Sequence, residues 1–200
     1  MIFDRTCREG GAVGLSHAWW GGVKLYQALG RVDAAHGVST WREALSWLVE
    51  VDPGARLAEV QFWGHGRWGE VLINRDPLDA RALEPAHPLY GALSAVRDRL
   101  APDGNALWWF RTCQTFGARR GHDFARAWTS FFGCPAAGHT HIIHAWQSGL
   151  HRLAPGAQPD WPERQGLAKG TPERPARAVT SGPLEPRTIT CLHGRIPEGW

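Results

Sequence analysis

The sequence predicts an α/β fold, a three-layer α/β/α sandwich around a mostly parallel sheet, and three observations carry that prediction. Short apolar runs at 2–3, 58–63, 106–110 and 134–144 alternate with stretches of helical periodicity, as parallel strands joined by crossover helices do. The run Ala106-Leu107-Trp108-Trp109-Phe110 is apolar without alternation, as a strand covered on both faces requires. The 200 residues are 43% hydrophobic and 20% charged, which suits one domain able to bury a core.

Taken in order, Ile2 and Phe3 form a first strand. Ser16 is placed to cap a helix running to about Leu29, with Ala18, Gly22, Leu25 and Leu29 on one face and Gly30 at its exit. A weak strand is expected over 32–38. Thr40-Trp41-Arg42-Glu43 is a capping box, and Trp41, Ala44, Leu45 and Leu48 make the buried face of the helix it opens. The strand 58–63 ends at Gly64-His65-Gly66, and 70–74 reads as a short hairpin arm beyond it. Pro88 starts a helix whose stripe is Leu89, Ala92, Leu93, Val96 and Leu100, stopped by Pro102-Asp103-Gly104. It delivers the chain to strand 106–110, which leads to Cys113. A helix over 122–132 buries Phe124, Trp128, Phe131 and Phe132, with Gly133 at its end, and 134–144 (CPAAGHTHIIH) supplies a fifth strand and its exit. The core thus occupies about 1–150. From 151 the chain turns proline-rich, holding 8 of the 14 prolines, and is expected to wrap the sheet with one last strand over 188–192.

Composition excludes several classes. A net charge of +3 with scattered arginines gives no basic stripe, so nucleic acid is not an expected partner. No apolar run approaches the roughly 20 residues of a membrane span. Cys7, Cys113, Cys134 and Cys191 contain no CxxC pair, and MIFDRT opens on a strand rather than a signal peptide, which predicts reduced thiols in a cytoplasm.

Two strand ends carry the chemistry. In a parallel sheet, reactive groups gather outside the carboxyl ends of the strands, where loops converge. His65 and Cys113 each stand at such an end, on successive strands expected to be neighbours. A thiolate there attacks a carbonyl carbon, and an imidazole supplies the proton to the leaving group. Gly64 and Gly66 let the backbone approach a substrate, and the amides of Gly66 and Cys113 are candidate donors to the oxyanion.

Phe62-Trp63-Gly64-His65-Gly66, followed 48 residues after the histidine by the cysteine of Trp108-Trp109-Phe110-Arg111-Thr112-Cys113, resembles the caspase-like (caspase–haemoglobinase) clan of cysteine peptidases over about 1–150. The stretch with Gly117, Gly121, Phe124-Ala125, Gly133 and Ala136-Ala137-Gly138 is similar to small bacterial members. The narrower caspase signature around the cysteine is not shared: Arg111-Thr112-Cys113-Gln114-Thr115 keeps only its Cys. The resemblance implies a caspase-like sandwich, a cysteine peptidase working on a protein or peptide substrate without a cofactor, His65 as general acid and base, and Cys113 as nucleophile. It also implies that Arg111, two before the cysteine, lines a substrate pocket. Strand alternation places its side chain beside the thiol, and a guanidinium there favours an acidic or hydrogen-bonding side chain. Arg5 can add to that pocket, Asp4 can neutralise it by pairing with Arg111, and His139 and Thr140 border it.

Two other readings compete. A chain of the same fold without activity would be an interaction module. His139-x-His141-x-x-His144 is a possible zinc cluster for a hydrolase, although neither an HExxH helix nor a cysteine pair accompanies it. Of the 12 tryptophans, Trp41, Trp108, Trp109 and Trp128 read as packing, while Trp63, Trp68, Trp146 and Trp161 fall in or near cleft loops. Arg119-Arg120 reads as a solvated turn before a helix, whose charge could also depress a nearby thiol pKa.

Overall fold

The computed structural model describes residues 1–7 and 14–200. Its central sheet has six strands: β1 (Ile2–Asp4), β2 (His36–Val38), β3 (Glu59–Trp63), β7 (Leu107–Arg111), β8 (Ala136–His139) and β10 (Leu150–Leu153). Their order is β10-β8-β7-β3-β1-β2, and all neighbours are parallel except the edge strand β10. Helices α1 (Leu15–Ala28), α2 (Trp41–Glu50), α3 (Tyr90–Arg99) and α4 (Ala118–Phe132) flank the sheet. The architecture is therefore mixed α/β with a largely parallel sheet between layers, as expected. Among the described residues no helix is long and apolar enough to cross a membrane.

The two faces follow from side-chain alternation along β3 and β7. Val60, Phe62, Trp108 and Phe110 join one apolar cluster with the buried faces of α2, α3 and α4. Trp63 packs on the other face against Val23 and Tyr26 of α1, and Trp109 lies there with Leu150 and Ile189. Both tryptophans of the 106–110 run are fully buried because each face has its own cover. One cover is mainly α2, α3 and α4, joined by Val71, Ile73 and Leu78 and by Trp161. The other is α1 together with the chain after 151.

Local details depart from the expectation in instructive ways. Ser16 does not cap α1, whose N-cap is Gly14. Its hydroxyl instead donates to the carbonyls of Asp4 (3.0 Å) and Cys7 (2.7 Å), tying the helix to the exit of β1. Leu25 of α1 and Leu29 at its C-cap are exposed, and the helix buries Val23 and Tyr26 instead. The capping box at Thr40 forms half as drawn: the Glu43 amide donates to Thr40 Oγ1 (3.1 Å), but the Glu43 carboxylate accepts from the amide and hydroxyl of Ser39. Those bonds hold the Glu43 carboxyl below its ordinary range. The expected strand over 32–38 shrinks to β2, and α4 begins at Ala118, ahead of the predicted 122, while Gly133 closes it in the left-handed conformation (φ 64°).

The hairpin arm after His65 is a three-stranded meander of β4 (His65–Arg67), β5 (Glu70–Ile73) and β6 (Asp76–Asp79). The last strand, β13 (Ile189–Thr190), pairs with β9 (Trp146–Gln147) rather than with the main sheet. Between them β11 (Leu167–Gly170) and β12 (Pro175–Ala178) make an antiparallel hairpin. Residues after 151 are wrapped onto the body: Trp161 enters the main core, stacked on Phe116 (5.8 Å) and His151 (4.4 Å).

Two imidazoles are buried at the sheet's β8–β10 edge. His139 and His151 are 0% and 2% exposed, and burial pushes both down to about 3. In the unfolded chain each binds a proton below about pH 6.5, whereas in the fold it stays neutral until about 3, so stability is full above that range and falls as pH drops. Denaturant titrations between about pH 6 and 4.5 are expected to show a loss of about 1.4 kcal/mol per pH unit for each histidine. A His139→Leu or His151→Leu variant should have a shallower slope.

Candidate active site

Three strand exits converge on the carboxyl rim of the sheet. β3 lies between β7 and β1 and pairs in parallel with both, Trp63 opposite Arg111 on one side and opposite Phe3 on the other. His65 stands two residues past Trp63 and Cys113 two past Arg111, while Cys7 follows the end of β1. His65 is therefore flanked by one thiol-bearing exit on each side.

His65 and Cys113 line the same open cleft, of about 810 Å³, with Gly66, Arg67, Trp68, Glu70, Gln114, Arg120 and Ile142. The β12 segment closes it, through Glu173, Arg174, Pro175, Ala176, Arg177 and Ala178. The turn at Cys113 is stitched on both sides. Gln114 and Phe116 donate backbone bonds to His141 and His139 (3.0 Å each), and Gly69 of the meander donates to Thr115 (3.1 Å). Inside the turn the Thr112 and Thr115 hydroxyls share a hydrogen bond of 2.5 Å. Gln114, immediately after the thiol, takes a left-handed φ of 60°, a conformation that costs a side-chain-bearing residue energy and is held here by the hydrogen bonds of the turn.

Gly66 is required by contact. A Cβ there would sit 2.4 Å from Thr115 Oγ1 and 2.7 Å from the Cys113 carbonyl oxygen, so only glycine lets the histidine strand touch the cysteine turn.

The Cys113 sulfur is held by the backbone of Ile143, accepting from its amide (3.4 Å) and donating to its carbonyl (3.8 Å). Burial pushes this thiol above its ordinary value, with the Ile143 amide pulling the other way. At neutral pH it is protonated, so it needs a base to become a nucleophile. His65 has Nε2 2.9 Å from Cys7 Sγ and its ring edge-on to Trp19, at 5.9 Å between centroids.

Other predicted site residues are placed elsewhere. Arg111 is 3% exposed and points to the opposite face of the sheet from the main core, where its guanidinium donates to Tyr26 Oη, Gln147 Oε1 and the carbonyls of Cys191 and His193. It does not open beside the thiol. Strand alternation fails to relate the two because β7 ends at Arg111 and Cys113 lies in a turn. Asp4 does not pair with Arg111: it accepts from Thr6 and from the Asn74 amide. Arg5 is drawn to Glu43 (3.1 Å), away from the cleft. His139 and Thr140 are fully buried, the first bonded to the Ser148 carbonyl and the second to His141 Nδ1, so neither borders the cleft.

The histidine cluster disperses. His139 turns to Ser148, His141 to Thr140 and Glu185, and His144 to the Ser181 carbonyl. Among the described residues no group of three or more His, Cys, Asp and Glu side chains could hold a metal ion. The two-residue spacing suggested a shared face, but β8 ends at His139 and the backbone turns before His141. Of the tryptophans expected at the cleft, Trp68 lines it, Trp63 and Trp161 are buried packing, and Trp146 is partly exposed on β9. Arg119 is paired with Glu173 (2.5 Å), while Arg120 lines the cleft.

Sequence reasoning missed Cys7, Arg67 and the β12 wall, and read Arg120 chiefly as part of a solvated turn. Cys7 was within reach of the same rule that found the other two, since it too follows a strand end. The β12 wall was not, because nothing local tells where a proline-rich segment docks.

Gly66→Ala is expected to lower stability by about 1–3 kcal/mol through overpacking, and to slow alkylation of Cys113 at fixed pH by displacing the turn. Thermal unfolding and mass-spectrometric labelling read the two effects separately. No family model, curated protein or solved structure matches the chain, so its chemistry is argued from this geometry.

Proposed function

We propose that the chain is a caspase-like cysteine endopeptidase in which Cys113 is the nucleophile and His65 the general acid and base. One observation carries the reading: His65 and Cys113, from neighbouring parallel strands in register, line one open cleft. His65 takes the Cys113 proton as the sulfur attacks the peptide carbonyl carbon, giving a tetrahedral oxyanion near the amides of Gly66 and Cys113. The C–N bond breaks, the proton passes from His65 to the leaving amine, and a thioester links substrate to Cys113. Water, deprotonated by His65, attacks the thioester and the thiol re-forms. The order is required because the resting thiol is kept neutral by its burial.

The cleft suits an extended polypeptide that carries acidic side chains. Arg67, Arg120, Arg174 and Arg177 line it and form no ion pair among the described residues, while one of its two acids, Glu173, is engaged by Arg119. The preference sought in Arg111 is thus carried by other arginines. The four cysteines form no disulfide, which fits a bacterial cytoplasm as the working compartment. An inactive interaction module is the alternative, favoured by the neutral thiol.

An electrophilic peptide probe is expected to modify Cys113 and to leave Cys113→Ala unlabelled; absence of labelling on the folded wild type would leave the interaction module. His65→Ala should lower the rate of cleavage by about 10²–10⁴-fold. The double variant Arg174→Gln/Arg177→Gln should raise KM for acidic peptides and weaken the salt dependence of cleavage, with little change for neutral ones.

A further inference from the structure

We infer that Cys7 is a positioning residue for His65: its sulfur engages Nε2 and thereby assigns Nδ1 to the proton of Cys113. This rests on the peptidase reading above, and concerns a thiol which that mechanism does not use.

The geometry is specific. Cys7 Sγ lies 2.9 Å from His65 Nε2, and Cys7 is 7% exposed and outside the cleft lining. In the sheet order, β1 and β7 lie on opposite sides of β3. An imidazole has two nitrogens, and Nε2 is engaged by the exit of β1; the nitrogen left for the exit of β7 is Nδ1.

Cys7 is itself fixed. Its carbonyl accepts from the Ser16 hydroxyl (2.7 Å) and from the Ser16 amide (3.2 Å) at the start of α1, and Asp4 orders the Thr6 turn just before it. Trp19, on the same helix, abuts the imidazole edge-on. One helix therefore holds both the sulfur and an aromatic wall against the ring.

The chemistry follows from which atom bears the hydrogen. With the neutral ring protonated at Nε2, that N–H donates to the Cys7 sulfur and the Nδ1 lone pair is free to accept the Cys113 proton. After transfer the imidazolium donates through Nδ1 to the leaving amine, while Nε2–H stays on the sulfur. The Cys7 proton is never transferred. Without the sulfur the ring can populate the other tautomer, whose Nδ1–H cannot act as base. Serine in place of Cys7 keeps an acceptor; alanine does not.

The test begins on the wild-type protein. Long-range ¹H–¹⁵N correlation on ¹⁵N-histidine-labelled protein reads the His65 tautomer, and the Nε2–H form is expected. The Nδ1–H form would overturn the inference. Cys7→Ala should then mix the tautomers and lower kcat for peptide cleavage by about tenfold, part of the general acid–base contribution, with KM unchanged. Cys7→Ser should restore both readouts. Equal kcat and tautomer in wild type and Cys7→Ala would sink the inference while leaving the peptidase standing, provided the electrophilic probe still labels Cys113. Labelling of Cys7 in place of Cys113 would overturn this role and make Cys7 the nucleophile. No labelling on either thiol removes the peptidase, and the wild-type tautomer still decides whether Cys7 orients the ring.

Discussion

The register of β3 against β7 is the constraint on which the candidate site depends. Pairing Trp63 with Arg111 sets His65 and Cys113 at equal distances beyond the last rung of the two strands. A slip of β3 by one residue would turn Val60 and Phe62 out of the main core and bring Gln61 and Trp63 in, so burial of the apolar face enforces the alignment. Chemistry at the rim is thus guarded by packing in the middle. Gly66 completes the arrangement, since the meander can lie on the cysteine turn only where no Cβ intervenes.

Arg111 shows how a residue chosen for chemistry can serve architecture. Its guanidinium is stacked among Trp63, Trp109 and Tyr26, and no carboxylate among the described residues reaches it within ion-pair distance; its N–H groups donate to neutral oxygens. Burying a cation is costly unless its donors are satisfied. Here they are satisfied by carbonyls at 191 and 193, so the arginine clasps the end of the chain to the sheet. The same clasp joins α1 through Tyr26, whose hydroxyl also donates toward those carbonyls. The cover of this face, which a helix would supply in a regular doubly wound sheet, is assembled in part from irregular chain.

The buried histidines make a related point. His139 and His151 occupy sites where a neutral ring packs well, and His151 stacks on Trp161 to bring the late segment into the core. The spacing of His139, His141 and His144 suggested a ligand set; the turn that follows β8 separates them. What the segment does for the cleft is hold the Cys113 turn through the carbonyls of His139 and His141 and hold its sulfur through Ile143.

The fold class was legible because it rests on local properties. Apolar runs at 58–63 and 106–110 have no wet face to offer, amphipathic stretches between them supply covers, and the parallel order follows from crossover lengths. His65 and Cys113 were legible for the same reason, as reactive residues at strand ends. Alternation could not be carried past the end of β7, so the pocket drawn around Arg111, Asp4, Arg5, His139 and Thr140 dissolved into structural contacts. By itself the sequence determined which segments become strands and helices, and that a thiol and an imidazole leave the sheet on one rim. Only the tertiary structure decided that Cys7 meets His65, that Ile143 holds Cys113, and that β12 with its arginines closes the cleft, because each of these contacts joins segments far apart in the chain whose meeting depends on the packing of everything between them.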